Sequence, residues 1–118
     1  MAITEAFTGT NASVGNTEYS CPNAANYVAG GSAGRTEDGI YQVFLDVSDM
    51  IVGDTLRIRI REKCLTTSTQ QIIYESILSG PQADLWVSPS LILLHAWDVT
   101  IQATTGTVSV SWSIRKVA

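Results

Sequence analysis

Hydrophobic and polar residues alternate along the last third of the chain in a pattern typical of β-strands. Two alternating runs, 91–104 and 107–114, are separated by Thr105-Gly106, and a two-residue turn with glycine second is typical of a tight hairpin. Pairing Thr104 with Thr107 places all the apolar side chains on one face, and a slip in register would mix the faces. That face consists of Trp97, Val99, Ile101, Ala103, Val108, Val110, Trp112 and Ile114. The sequence therefore predicts a half-buried hairpin, with Trp97 opposite Ile114.

Further strands are predicted before this hairpin. Residues 40–47 are apolar on both faces, which indicates a central strand. Residues 55–62 alternate strictly between aliphatic and charged side chains, so the aliphatic ones face the core. The outward residues form a row that we call the arginine ridge: Arg57, Arg59 and Arg61. Residues 71–78 are predicted to be the next strand, and residues 84–87 a short edge segment.

The arginine ridge is a candidate contact surface. Cations on alternate positions of one strand repel each other, so carboxylates are expected beside them, either in the same chain or on a partner. One turn length between the two strands places Arg59 opposite Glu75, and a longer turn places Tyr74 and Ser76 beneath the arginines. The sequence leaves both registers open. It also leaves open whether the ridge binds a partner or is solvated or paired internally.

These patterns predict an all-β, single-domain antiparallel β-sandwich or jelly-roll-like fold over residues 39–118. Residues 91–94 are apolar on both faces, so we expect that segment to be covered on both sides. Residues 1–38 are rich in Gly, Ser, Thr, Asn and Ala and predict an extended N-terminal arm with possible short edge strands. This arm either docks onto a partner or is a loose loop with an edge strand.

Composition narrows the functional classes. The 118 residues are 45% hydrophobic and 15% charged, which excludes a disordered chain, and no apolar run reaches membrane-spanning length. Residues 1–54 carry a net charge of −6 and residues 55–118 a net charge of +2, so opposite parts of the domain can complement neighbours. The overall charge of −4 disfavours nucleic acid. The N-terminus lacks a signal sequence, so we expect cytoplasmic synthesis and free thiols at Cys21 and Cys64.

Catalytic and cofactor-binding motifs are missing from the sequence. His95 and Asp98 are three residues apart, and this spacing in a strand places them on opposite faces. We find no phosphate loop, nucleophile elbow, zinc ligand set or calcium loop. We therefore expect no enzyme activity, no cofactor and no metal.

The tryptophans allow one other interpretation, a carbohydrate-binding β-sandwich module with an aromatic platform. Trp97 and Trp112 fall on the apolar face of the predicted hairpin, where a core role is favoured. Trp86, beside Ser88-Pro89, is the one predicted to be exposed. It is a candidate for a sugar platform or for the anchor of a subunit contact.

Several short runs resemble small virion structural proteins of tailed bacteriophages: 38–47 (DGIYQVFLDV), 53–63 (GDTLRIRIREK), 86–91 (WVSPSL), 95–100 (HAWDVT), 105–106 (TG) and 111–116 (SWSIRK). The resemblance covers residues 38–117 and is greatest to capsid decoration, or cement, proteins. It implies a β-rich homotrimer on the capsid surface that clamps neighbouring major capsid subunits without catalysis. The arm and the arginine ridge would lie at the contacts. A tail or fibre component is the alternative within the virion.

Overall fold

The computed structural model describes residues 2–117, which fold into two antiparallel sheets packed face to face. The strands are β1 (Ile3–Val14), β2 (Tyr19–Ser20), β3 (Ala25–Asn26), β4 (Gly39–Asp46), β5 (Thr55–Glu62), β6 (Gln71–Ser79), β7 (Trp86–Val87), β8 (Leu91–Leu93), β9 (Asp98–Thr105) and β10 (Val108–Val117). A single 3₁₀ turn, Ala29–Gly31, is the only helical element in that range. The all-β sandwich predicted from the sequence is confirmed.

Each sheet contains strands from both halves of the chain. In the front sheet the order is β1-β10-β4, and the free side of β4 pairs with β7 at one end and with β8 at the other. In the back sheet the order is β3-β2-β9-β5-β6. The edges of the sandwich are therefore β1 and β7/β8 in front and β3 and β6 behind.

The core lies between the two sheets and is made of alternate residues from their longest strands. Front-sheet residues include Tyr41, Val43, Leu45, Val110 and Trp112, and back-sheet residues include Leu56, Ile58, Ile60, Val99 and Ile101. Tyr41 and Phe7 both pack on the indole ring of Trp97, with ring centroids 4.6 Å and 5.6 Å away. This alternation confirms the predicted inward face of β5 and the predicted apolar face of the C-terminal segments.

The predicted C-terminal hairpin is wrong. β9 pairs with β5 and β2 in the back sheet, whereas β10 pairs with β1 and β4 in the front sheet. The chain crosses between the sheets at Gly106, which has a φ of +81° and approaches Asp54 so closely that a Cβ would lie 2.0 Å from its Oδ1 atom. The apolar faces of β9 and β10 therefore meet across the core rather than side by side in one sheet.

Residues 2–38 do not form an extended arm. β1 pairs with β10 from Ile3 to Val14, so the structure corresponds to the edge-strand alternative. Gly9 on β1 lies against the indole ring of Trp112, since a Cβ there would be 2.6 Å from Cζ2. Val14 and Cys21 are buried in the core. The N-terminal segment is thus part of both sheets, and the boundary predicted between residues 38 and 39 separates no structural units.

The register of β5 against β6 is the first of the two alternatives, because Arg59 lies opposite Glu75. A β-bulge follows at Ile60/Arg61 and shifts the pairing by one residue at that end of the hairpin. The predicted central position of β4 is also confirmed, since it pairs with β10 on one side and with β7 and β8 on the other.

Candidate interaction surface

The arginine ridge lies on the outer face of the back sheet, as the alternation predicts, but two of its three members are bonded within the chain. Glu18, just before β2, accepts hydrogen bonds from Arg61 and Thr100, and its carboxylate lies 2.9 Å from Nη2 of Arg61. Arg59 lies 3.7 Å from the same carboxylate and donates from Nε to Glu75 at 2.6 Å. Arg59 and Arg61 are therefore paired within the chain, which is the alternative to a contact with a partner.

A second contact covers Arg61 from the segment that follows β2. Tyr27 Oη accepts a hydrogen bond from Nη1 of Arg61 at 2.6 Å and donates one to Gln70 at 2.5 Å. The guanidinium carbon lies 4.2 Å from the centroid of the Tyr27 ring, within the range of a cation–π interaction. Only 15% of the Arg61 side chain is exposed, so it has little surface left for another molecule.

Beneath this network lies a buried carboxyl group. Asp98 accepts hydrogen bonds from Ser20 Oγ at 2.6 Å and from the Val99 N–H at 2.8 Å. Burial raises the pKa of Asp98 from 3.8 to about 6, although both hydrogen bonds and the charge of Arg61 act in the opposite direction. Thus Glu18, Arg61 and Asp98 form one largely covered cluster, which we call the polar cluster.

Arg57, the third member of the ridge, lies opposite Ile77 on β6 and Gln102 on β9. Within residues 2–117 it takes part in no salt bridge. Arg57 is therefore the only ridge residue whose charge is available to another molecule.

Trp86 is half-buried rather than fully exposed. It belongs to β7 of the front sheet, yet its Nε1–H donates to Ser76 on β6 of the back sheet at 3.3 Å. Its ring centroid lies 6.2 Å from that of Tyr74, also on β6. Trp86 therefore connects the two sheets along one edge of the sandwich and leaves only part of its ring accessible.

The other aromatic rings are also engaged inside the molecule. Trp97 and Trp112 are buried, as their place on the apolar face predicted. Arg115 stacks on Phe44 with its guanidinium carbon 3.8 Å from the ring centroid, and Arg35 lies over Phe7 at 5.0 Å. Tyr19 packs on Trp112 at 5.8 Å. Because the rings contact one another or a cation, the partly exposed Tyr74–Trp86 pair is the best remaining aromatic surface.

The largest departure from the sequence prediction is on the outer face of the front sheet. Four aliphatic side chains lie side by side on adjacent strands, paired in the order Ile3, Val117, Ile40 and Ile92. Ile3 is 66% exposed, Ile40 42% and Ile92 80%. We call this set the aliphatic row. Residues 91–94 were predicted to be covered on both faces, but the outward side chain of Ile92 is uncovered.

Polar groups that bond to one another occupy much of the rest of that face. The Thr10 and Ser111 hydroxyls lie 2.8 Å apart, and Ser113 donates to Glu5 at 2.7 Å. The aliphatic row is thus an apolar band at one end of a face that elsewhere carries these polar groups together with Phe44 and Val87. Sequence reasoning missed it because its members lie far apart in the chain, and only the pairing of β1, β10, β4 and β8 brings them together.

Groups suited to catalysis are few in the described part of the chain. Residues 2–117 contain no cluster of three or more His, Cys, Asp or Glu side chains able to hold a metal ion. No hydrogen bond joins His95 to Asp98 in that range, and Asp98 bonds instead to Ser20 and Val99. Cys21 is buried, where burial raises the pKa of its thiol well above the ordinary value, and Cys64 is an exposed free thiol. No helix in residues 2–117 has the length and apolarity needed to cross a membrane.

Comparison with known proteins supports the fold and gives no family. No family model matches the chain, and no curated protein matches it in sequence. The structure is similar to that of the Yersinia pseudotuberculosis-derived mitogen, with a TM-score of 0.50 and 14% identity over 99% of this chain and 85% of that one. At that identity the similarity shows a shared β-sandwich fold only.

Two further structures align less well. The K2 cleaved adhesin domain of Lys-gingipain has a TM-score of 0.43 and 12% identity over 72% of this chain and 60% of that one. The CBM22-1–GH10 modules of Clostridium thermocellum xylanase 10B also have a TM-score of 0.43, with 10% identity over 99% of this chain and 26% of that one.

Proposed function

We propose that the protein is a non-catalytic structural component of a tailed-phage virion, a decoration protein that binds major capsid subunits on the capsid surface. The aliphatic row carries this proposal, and the resemblance of residues 38–117 to decoration proteins supplies the partner. Contiguous exposed apolar residues bordered by polar ones are typical of surfaces that bind another protein.

The position of the row suits a contact. Adjacent strands are spaced by about 4.8 Å, so four side chains across four strands span about 14 Å. The row lies on a sheet face, which presents its side chains with little loss of conformational entropy on binding. A partner that covers Ile3, Ile40 and Ile92 would bury aliphatic side chains that are 66%, 42% and 80% exposed.

The proposed contact residues differ from those expected from the sequence. Arg59 and Arg61 hold the polar cluster together, and Trp86 connects the two sheets. The proposed contact surface is therefore the aliphatic row, whereas Arg57 lies on the opposite face of the sandwich. In a homotrimer, the state that the resemblance implies, three copies of the row would engage adjacent capsid subunits, and their weak contacts would add through multivalency.

The test measures binding to empty phage heads that lack the protein. The double variant Ile40→Ser/Ile92→Ser is expected to bind at least about tenfold more weakly than the wild type, because it removes two apolar contacts. The control Ile51→Ser/Val52→Ser removes two aliphatic residues, 65% and 85% exposed, from the loop between β4 and β5. It should bind like the wild type.

Equal binding by the two double variants would refute the role of the aliphatic row. If the wild type binds tails and not heads, the aliphatic row remains the proposed contact surface, but the protein belongs to another part of the virion. Light scattering of the wild type, alone and with heads, gives the copy number.

Carbohydrate binding is the second candidate, and the partly exposed Tyr74–Trp86 pair favours it. Aromatic rings at an accessible edge can stack on the apolar faces of sugar rings. Under this alternative the wild type binds members of a glycan array, and Trp86→Ala loses that binding while Ile40→Ser/Ile92→Ser retains it. An array without signal would remove this candidate.

A further inference from the structure

A surface pocket at one end of the sandwich has a different chemistry from the aliphatic row. It lies between the residues that follow β5 and the turn that precedes β9, and its cavity volume is about 320 Å³. Its lining residues are Thr36, Lys63, Thr66, Leu94, His95 and Ala96. This volume is at the small end of the range typical of ligand pockets, about 300 to 1,000 Å³.

Hydrogen bonds hold the wall of the pocket in place. The carboxylate of Glu62 accepts from the backbone N–H groups of Leu94 and His95, and the Lys63 N–H donates to the His95 carbonyl at 2.9 Å. Gln70 donates to the Ala96 carbonyl at 2.8 Å. These contacts link the turn to the end of β5 and to the loop that follows it, so the pocket is formed before any ligand binds.

Two carboxylates near the pocket already have partners. Glu62 is occupied by the two backbone N–H groups, and Glu37 is paired with Arg35 at 2.5 Å. Lys63 has no salt-bridge partner among residues 2–117. The lining therefore includes an ammonium group outside any salt bridge, an imidazole, two hydroxyls and the apolar side chains of Leu94 and Ala96.

We propose that this pocket binds a carboxylate group carried on a short aliphatic body. Lys63 supplies the opposite charge, the hydroxyls of Thr36 and Thr66 donate hydrogen bonds, and Leu94 and Ala96 contact the aliphatic part. One permanent cation matches a single negative charge, whereas phosphate sites typically add a bidentate arginine or several donors. The carboxylate belongs to a free small acid or to an Asp or Glu side chain of a partner protein. This inference does not depend on the capsid role.

The chain contains one histidine, so the imidazole proton signals in its NMR spectrum can be assigned directly to His95. Titration of the wild-type protein with butyrate should shift the His95 signal in a saturable way. Butyramide, which has the same shape without the charge, should leave it unchanged, and inorganic phosphate should bind at least about tenfold more weakly. N-acetyl-glutamate amide, which carries the side-chain carboxylate of a protein, distinguishes the two sources: saturation by this probe at lower concentration than butyrate indicates a partner protein.

Three variants complete the test, and two of them, Lys63→Gln and Arg57→Gln, change the net charge equally. Lys63→Gln should weaken butyrate binding at least about tenfold, and Lys63→Arg should retain most of the wild-type affinity for butyrate. Arg57→Gln removes a positive charge near the start of β5, away from the pocket, and should bind like the wild type. A linear, non-saturable shift, or equal weakening by Lys63→Gln and Arg57→Gln, would overturn the proposal.

Discussion

The outer faces of the two sheets have opposite chemistry and opposite exposure. On the back sheet the polar cluster of Glu18, Arg61 and Asp98 is largely covered. On the front sheet the aliphatic residues Ile40 and Ile92 are uncovered. In each sheet the same alternation sends those of these side chains that belong to strands away from the core. The difference therefore arises from what lies over each face and not from the strands themselves.

The covering segment of the back sheet comes from the chain between β1 and β4. Glu18 and Tyr27, which belong to this segment, contact Arg61 from the outside. Within residues 2–117 no comparable segment contacts the aliphatic row on the front sheet. The outward charge of Arg61 is thus paired within the chain, whereas the outward aliphatic side chains of the row remain accessible to another molecule. This contrast makes the front face the better candidate for a contact surface.

Removal of Arg61 should have the largest effect on stability. Arg61→Met leaves Glu18 and Asp98 without their closest cation in a largely covered site, and breaking such a pair costs about 4 kcal/mol. Urea unfolding monitored by tryptophan fluorescence measures the loss. The matched control is Arg57→Met, on the same strand and face, which should change the free energy of unfolding by less than about 0.5 kcal/mol.

Similar losses for the two variants would show that the polar cluster is no more important to stability than an arginine outside any salt bridge. The account of the back sheet would then fail. A large loss confined to Arg61→Met would show that two residues of one ridge, alike in sequence, have different structural roles.

The raised pKa of Asp98 predicts a pH dependence of the next largest size. Because burial raises this pKa from 3.8 to about 6, the folded protein binds the proton more tightly than the unfolded chain does. The contribution of this group to stability is therefore complete below its unfolded pKa and is lost as the pH rises through about 6. A shift of this size corresponds to about 3 kcal/mol, since each pKa unit is worth about 1.4 kcal/mol.

Asp98→Asn isolates this contribution from those of other carboxyl groups. Hydrogen bonds from Arg35 and Arg59 lower the pKa values of Glu37 and Glu75. The contribution of such groups to the stability of the protein is lost as the pH falls. Urea unfolding from about pH 4 to about pH 7 should show a fall in wild-type stability relative to Asp98→Asn. Parallel curves for the two proteins would mean that the carboxyl is not buried as described.

Local alternation was enough to predict β5, its inward aliphatic face and its arginine ridge. It also limited the β5–β6 register to two choices, of which Arg59 opposite Glu75 is correct. The apolar face of β9 and β10 was predicted correctly as well. These features depend on periodicity within one strand or between two neighbours, and a short stretch of sequence contains that information.

Features that depend on distant pairing could not be predicted in this way. The same alternation is compatible with a hairpin and with a crossover between sheets. The close approach of Gly106 to Asp54, which accompanies the crossover, is a tertiary contact that alternation does not indicate. The Gly- and Ser-rich composition of residues 1–38 concealed β1, which is stabilised by pairing with β10 and not by propensity. The aliphatic row required both the strand order and the absence of a cover, so no local signal could indicate it.

The aliphatic row itself should have the smallest effect on folding. Ile40→Ser/Ile92→Ser changes side chains that are 42% and 80% exposed, so the free energy of unfolding should change by less than about 1 kcal/mol for the pair. By contrast, Leu45→Ala on the inner face of β4 should cost about 3 kcal/mol by leaving a cavity. Urea unfolding of the three proteins measures both effects.

A loss for the double serine variant as large as that for Leu45→Ala would mean that the row supports the fold, and any loss of capsid binding by that variant could then be explained by unfolding. A small loss keeps the two explanations apart, because a protein that folds normally but no longer binds has lost a contact and not its structure.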